Sequence, residues 1–88
     1  MYDHHMELSY TIVLERADTN WSAFAPDVPG CVATGLRRGH AIENIKSALA
    51  FHFDGTLEDG LKIPLPMTDA SQRLDDTCMV TIHVDTWD

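Results

Sequence analysis

The chain has 88 residues, 44% of them hydrophobic and 23% charged, which predicts one small globular domain with a modest core and no room for a second. Its formal net charge of −8 is unevenly spread, with six acids and four bases in residues 1–53 but eight acids and two bases in residues 54–88. Such a surface repels nucleic-acid phosphates and attracts basic partners, so direct DNA or RNA binding is not expected; the same charge also serves to keep a small protein soluble.

No apolar run approaches the length of a membrane span, and no signal peptide precedes the cysteines. Cys31 and Cys78 are too few for a disulfide scaffold. The reading is a cytoplasmic protein with free, half-buried thiols and no membrane contact. A core this small makes self-association a common remedy for marginal stability.

Residues 1–7 show no periodicity and are expected to be flexible, leaving a core over residues 9–85. His4-His5 resembles a metal pair only superficially, because adjacent side chains on extended backbone point to opposite faces. Ser9 to Glu15 alternates, with Tyr10, Ile12 and Leu14 on one side and Thr11 and Val13 on the other, as in a central strand. A polar turn at Arg16 to Asn20 leads to a second strand, Trp21 to Ala25. Then Pro26-Asp27-Val28-Pro29-Gly30 bends the chain, with Pro29-Gly30 favouring a type II turn. Cys31 to Thr34 is a short third strand that Gly35 ends.

From about Arg38 to Asp59 the period becomes 3.6. Ile42, Ile45, Leu49, Phe53 and Thr56 form the buried stripe, flanked by Ala41, Ala48 and His52, and Gly60 is the expected residue beyond the helix end. The helix start has no ordinary cap residue, Thr34 being the nearest. Phe51 falls on the opposite face with Asn44, Ser47, Asp54 and Glu58. Ile63-Pro64-Leu65-Pro66 forces extended backbone. Met79 to Asp85 is the last strand, with Val80, Ile82 and Val84 on one face. The expected fold is α+β in the order β-β-β-α-β: an antiparallel meander plus one parallel edge strand, spatial order 3-2-1-4, with one helix on one face. An apolar edge strand of this kind is a candidate dimerisation surface.

The chain contains no His-Glu-x-x-His, no phosphate-binding glycine loop and no pair of Cys-x-x-Cys motifs. Cys31 with His40 or His52 could form a nucleophile–base pair, but nothing near Cys31 predicts a lowered pKa, and a buried structural cysteine is favoured. His40, His52 and His83 lack a shared ligand spacing, and His52 reads as a histidine at the core margin. Asp27, Glu43 and Asp54 could gather a metal only by coincidence among many solvated acids. No catalytic residue, cofactor or metal is expected.

Several of these residues together resemble the HicB family of antitoxins, in its short, HicB-like form. Tyr10 to Glu15 and Trp21 to Ala23 resemble the family's hairpin. Pro26-Asp27-Val28-Pro29-Gly30-Cys31 with Gly35 resembles its turn, and Ala41 to Leu49 with Glu58-Asp59-Gly60 and Ile63-Pro64 resembles its helix. The likeness covers roughly residues 9–66. It departs at Arg37-Arg38-Gly39-His40, where the family carries a Thr or Ser cap and an acidic pair. The chain ends within a few residues of its expected last strand, so the operator-binding domain of longer members is not carried over. The resemblance implies a degenerate RNase H-like domain that is not an enzyme. It also implies a homo-oligomer, dimer or tetramer, that binds a small basic mRNA-cleaving toxin of the HicA type. The alternatives left open are a stand-alone oligomeric domain with a structural or ligand-binding role, and a metal-dependent nuclease. The contact residues expected from exposure and charge are Phe51, Asp54 and Glu58 on the helix and Val80, Ile82 and Val84 on the last strand. Pro26, Asp27, Pro29, Gly30 and Gly35 are expected to shape the turn.

Overall fold

Period-two alternation gives way to period 3.6 near residue 38 and returns near residue 76, and the elements follow those changes. The computed structural model describes residues 4–69 and 76–86. In chain order these form β1 (His4–Arg16), β2 (Trp21–Phe24), β3 (Val32–Gly35), α1 (Arg38–Glu58) and β4 (Asp76–Thr86). The strands make a four-stranded antiparallel sheet of order β3-β2-β1-β4. The helix packs on one face of it.

β1 begins earlier than its alternation suggests. The segment expected to be flexible is strand from His4 onward, because each residue from His4 to Leu14 has a partner on β4, from Thr86 to Asp76. Met1 to Asp3 and the side chains of His4 and His5 lie outside the described residues. Tyr10, Ile12 and Leu14 face the helix, as do Ala23, Val80, Ile82 and Val84, and together with Ala41, Ile45, Leu49 and Phe53 they make the core. The buried helical row is thus 41-45-49-53, with Ile42, Ala48 and Leu57 packed at its margins. Thr56, expected on the buried stripe, is only half-buried, and its hydroxyl donates to the His52 carbonyl at 2.8 Å.

The helix ends as its sequence predicts. Gly60 has φ +73°, Gly60 N–H donates to Leu57 O and Leu61 N–H to Thr56 O, which is the Schellman arrangement. At the start, Arg37 occupies the cap position with no side-chain cap bond. Arg38 instead grips Asp76 through two bonds, Nε–Oδ2 at 2.9 Å and Nη2–Oδ1 at 2.7 Å, tying the first helical turn to β4. Thr34 does not cap the helix; its carbonyl accepts from Asn44 Nδ2 at 2.7 Å.

The last strand runs antiparallel to β1, which corrects the parallel edge strand expected from the sequence. The reason lies in the connection after α1. The helix starts beside the Leu14 end of β1, where Asp76 pairs, and carries Phe53 to within 5.3 Å, ring to ring, of Tyr10. A parallel β4 would have to start where the helix ends. Instead the chain travels back, and the described part of its route is pinned at residues 64, 67 and 68. Tyr10 Oη donates to Pro64 O from the helix side of β1, whereas Thr11 Oγ1, on the other side, donates to Thr68 O at 3.1 Å. The segment therefore passes from one face of the sheet to the other beside β1, beyond the end of the four-residue β2. β4 then begins where α1 began.

Candidate functional site

The turn between β2 and β3 is two consecutive β-turns. Val28 N–H donates to Ala25 O at 3.0 Å across Pro26-Asp27, and Cys31 N–H to Val28 O at 3.2 Å across Pro29-Gly30. Gly30 has φ +84°, so the second turn has the positive φ that type II requires after Pro29. Val28 is buried beneath the pair. Gly35 serves a different purpose: a Cβ there would stand 2.5 Å from Ala41 N and 2.8 Å from the His40 carbonyl carbon, so its lack of a side chain lets α1 start against β3.

Asp27 is the polar centre of this region. Its Oδ2 accepts from Met67 N–H at 2.8 Å and Thr68 N–H at 2.9 Å, and its Oδ1 from the Thr68 hydroxyl at 2.7 Å. Burial pushes the carboxyl pKa up, but the Thr68 and Met67 bonds outweigh it and hold the group below the usual carboxylate range. Tyr10 lies close enough to feel that charge; burial first, and Asp27 second, push its phenol up, so it stays protonated and donates to Pro64. The turn is thus locked to the crossing segment. Neither Pro64 as the partner of Tyr10 nor Thr68 as the partner of Asp27 stands out in the sequence, because these contacts join residues 54 and 41 positions apart.

An open groove of about 480 Å³ lies beside this turn, between α1 and the start of β3. Gly30, Cys31 and Val32 form one wall, Ala48, Phe51, His52, Gly55 and Thr56 the other, with Asp59 and Leu61 at one end. Phe51 is 82% exposed and Leu61 62% exposed, so two large apolar side chains stand in solvent at its rim. Asp54 and Glu58 are also exposed and, at spacings of three and seven from Phe51, share its stripe of the helix. The last helical turn carries no basic residue, although the helix dipole places partial negative charge there. The groove mouth is therefore apolar with an acidic border. Leu61 was legible in principle, since the residue after a C′ glycine is commonly apolar.

Two expectations for side chains are corrected. Val80, Ile82 and Val84 are 5%, 2% and 4% exposed, because α1 lies across their face of the sheet. They belong to the core, and the edge of β4 offers its backbone rather than these side chains. His52 is exposed on the groove wall instead of sitting at the core margin, since among the described residues no strand beyond β3 covers that side of the helix.

Burial pushes the Cys31 thiol up, which argues against a thiolate nucleophile. Burial also raises Cys78, with Arg38 lowering and Asp76 raising it further. Both cysteines are free. Among the described residues no group of three or more His, Cys, Asp or Glu is placed to hold a metal ion. No helix among them is long and apolar enough to cross a membrane.

Comparison with known proteins agrees with this architecture. A protein of Haemophilus phage HP1 (strain HP1c1), described as an uncharacterized 14.9 kDa protein in the rep-hol intergenic region, is 38% identical over 55 residues. That match takes in 62% of this chain but only 41% of the phage protein. The crystal structure of the N-terminal domain of Burkholderia pseudomallei antitoxin HicB superposes with a TM-score of 0.77 at 18% identity, covering 85% of this chain and 98% of that one. A chain of a HicA3 and HicB3 toxin-antitoxin complex superposes with a TM-score of 0.66 at 21% identity, covering 85% and 95%. At these identities the two structures speak for the fold. The family model of the HicB-like antitoxin of bacterial toxin-antitoxin systems matches residues 10–86, from the core tyrosine of β1 to the end of β4, and with so much of the chain accounted for, this protein belongs to the HicB-like antitoxin family.

Proposed function

We propose that the protein is an antitoxin that binds and neutralises a small basic mRNA-cleaving toxin of the HicA type, using the face of α1 that carries Phe51, Asp54 and Glu58 together with the groove beside it. The observation that carries this reading is the pairing of an exposed apolar anchor with an acidic border. Phe51 and Leu61 supply desolvation at the centre of a contact, and Asp54, Glu58 and Asp59 stand where lysines or arginines of the partner would meet them. A protein built to hold RNA phosphates presents the complementary charge, and the net charge of −8 would speed its encounter with this surface. Family membership supports a toxin-antitoxin role, and the likeness to a chain from a HicA3 and HicB3 complex supports a partner of that kind.

On this reading the protein acts by occupying the toxin rather than by catalysis, needs no cofactor and works in the cytoplasm. The sheet and single helix are read as a reduced RNase H-like fold in one domain. Phe51→Asp tests the site. Because the side chain is in solvent, the variant should keep the parent's circular dichroism and melting temperature while binding the toxin at least tenfold more weakly, measured by calorimetry. Unchanged affinity would remove this face of α1 from the proposal.

A further inference from the structure

β3 is an edge strand that borders the groove, and part of its backbone points away from the sheet. Ala17 N–H donates to Asn20 O at 2.8 Å, so Asn20, Ser22 and Phe24 direct their backbone groups toward β1. Trp21 and Ala23, alternate to these, turn theirs to β3 and meet Gly35 and Ala33. Val32 and Thr34 therefore direct their N–H and carbonyl groups off the sheet. Asn44 Nδ2 reaches the Thr34 carbonyl at 2.7 Å, as that direction requires. Among the described residues no strand takes up the N–H and carbonyl of Val32 or the N–H of Thr34. We infer that an extended segment of the basic partner adds to β3 as an antiparallel strand, hydrogen-bonded to Val32, with alternate side chains in the groove beside α1. This rests on the reading of a basic toxin given above and adds how that partner is held.

Residues directly opposite on neighbouring strands share a face. The partner residue opposite Val32 lies with the 61% exposed Val32 side chain, away from the helix, and those opposite Cys31 and Ala33 face the groove. Small residues on the helical wall make room for them. Gly55 stands inside α1, where glycine weakens a helix, yet a Cβ there meets nothing within 4 Å; its bare backbone keeps the groove wide. α1 begins against Gly35, and its later turns face Gly30 to Val32, so it runs antiparallel to β3. The added strand then runs with α1 toward Asp59. Its groove-filling apolar residues come first, and lysines or arginines follow where Glu58, Asp59 and the negative end of the helix dipole meet them. Charge decides against a strand of this chain itself: β4, the other edge, carries Asp76 and Asp85 and neither lysine nor arginine, on a chain of net charge −8.

Amide exchange followed by NMR, on the labelled chain alone and with any small basic protein encoded beside its gene, tests the pairing. Ala33 and Gly35, bonded to β2, should exchange slowly in both states, whereas Val32 and Thr34 should slow by about tenfold or more in the complex. Val32→Pro removes an outward N–H without breaking a bond to β2, and should weaken the complex by about tenfold or more in calorimetry. Gly55→Leu fills the groove from a position with room for a side chain; it should weaken the complex as much while raising the melting temperature. A complex that Phe51→Asp weakens, but in which Val32 and Thr34 exchange as fast as in the free chain, overturns the added strand and leaves the toxin reading standing. Unchanged affinity of Gly55→Leu also overturns it. Absence of any complex overturns both.

Discussion

Gly35→Ala and Gly55→Ala are the same chemical change with opposite consequences predicted. At Gly35 the new Cβ would sit 2.5 Å from Ala41 N and 2.8 Å from both the carbonyl carbon and the Cβ of His40. Contact between such atoms is comfortable at about 3.5–4.0 Å, so the approach is about one ångström short. Two of the three neighbours are backbone atoms in the first turn of α1, so no rotamer change relieves the clash. The helix must lift from β3, and Ala41 and Ile45, both 0% exposed, lift with it. Overpacking of this kind costs about 1–3 kcal/mol, and with backbone on the opposing side the upper half of that range is expected. For a domain of this size each kcal/mol moves the melting temperature by about 4–8 °C, so Gly35→Ala should melt roughly 8–24 °C lower. At Gly55 a Cβ meets nothing within 4 Å, and the residue lies inside α1. Alanine there should add about 0.5–1 kcal/mol through the unfolded chain's lost freedom. Urea titrations of the parent and the two variants decide the matter, with unchanged slopes and midpoints displaced in opposite directions. If Gly35→Ala lies within about 0.5 kcal/mol of the parent, or if both variants shift the same way, the close approach at Gly35 is not what seats the helix.

Other consequences follow from the pinned crossing segment and the ion pair. Asp27 has a folded pKa below its unfolded value, so its contribution to stability is present above the unfolded value and is lost as pH falls through the folded one. Asp27→Asn should therefore cost about 1.5–3 kcal/mol at neutral pH, and the gap between variant and parent should close in acid; a gap that stays constant with pH would contradict the three-bond account. Tyr10→Phe keeps the ring against Phe53 but strands the Pro64 carbonyl. It should cost about 1–2 kcal/mol by denaturant titration and speed amide exchange in residues 61–69, whereas unchanged exchange would show that the phenol does not hold the segment. The Arg38–Asp76 pair is solvent-exposed, with side chains 40% and 41% accessible, so Arg38→Ala should lower the melting temperature only slightly and less so at high salt.

Local chemistry made part of this molecule legible from the sequence. Pro29-Gly30 and Gly60 each occupy the positive-φ turn or cap that their types favour, and the 3.6-residue period places Ile45, Leu49 and Phe53 on the buried row, whereas Ile42 and Thr56, expected with them, are only half-buried and Ala41, expected at the flank, is buried. Phe51 was readable as exposed by the same arithmetic. The direction of β4 was not, because strand polarity depends on where the connection returns, and that is decided by Tyr10, Thr11 and Asp27 gripping residues 64–68. Residues 4–7 carry no apolar alternation; they are strand only because β4 is long enough to pair with them. Val80, Ile82 and Val84 are buried rather than exposed for a related reason. An edge strand exposes its outer backbone, but one helix laid across the sheet still buries its inner side chains. The groove depends on how far α1 stands from β3, which no single stretch of sequence encodes.

The central claim is that this chain acts by binding a basic toxin. The most direct test mixes it with any small basic protein encoded beside its gene and follows complex mass by light scattering and cleavage of an RNA substrate by that protein. The account predicts a stable complex in which cleavage is lost, and partial recovery of cleavage when Phe51→Asp replaces the parent chain. A partner that cleaves RNA unimpeded in the presence of excess protein, with no complex formed, would contradict it.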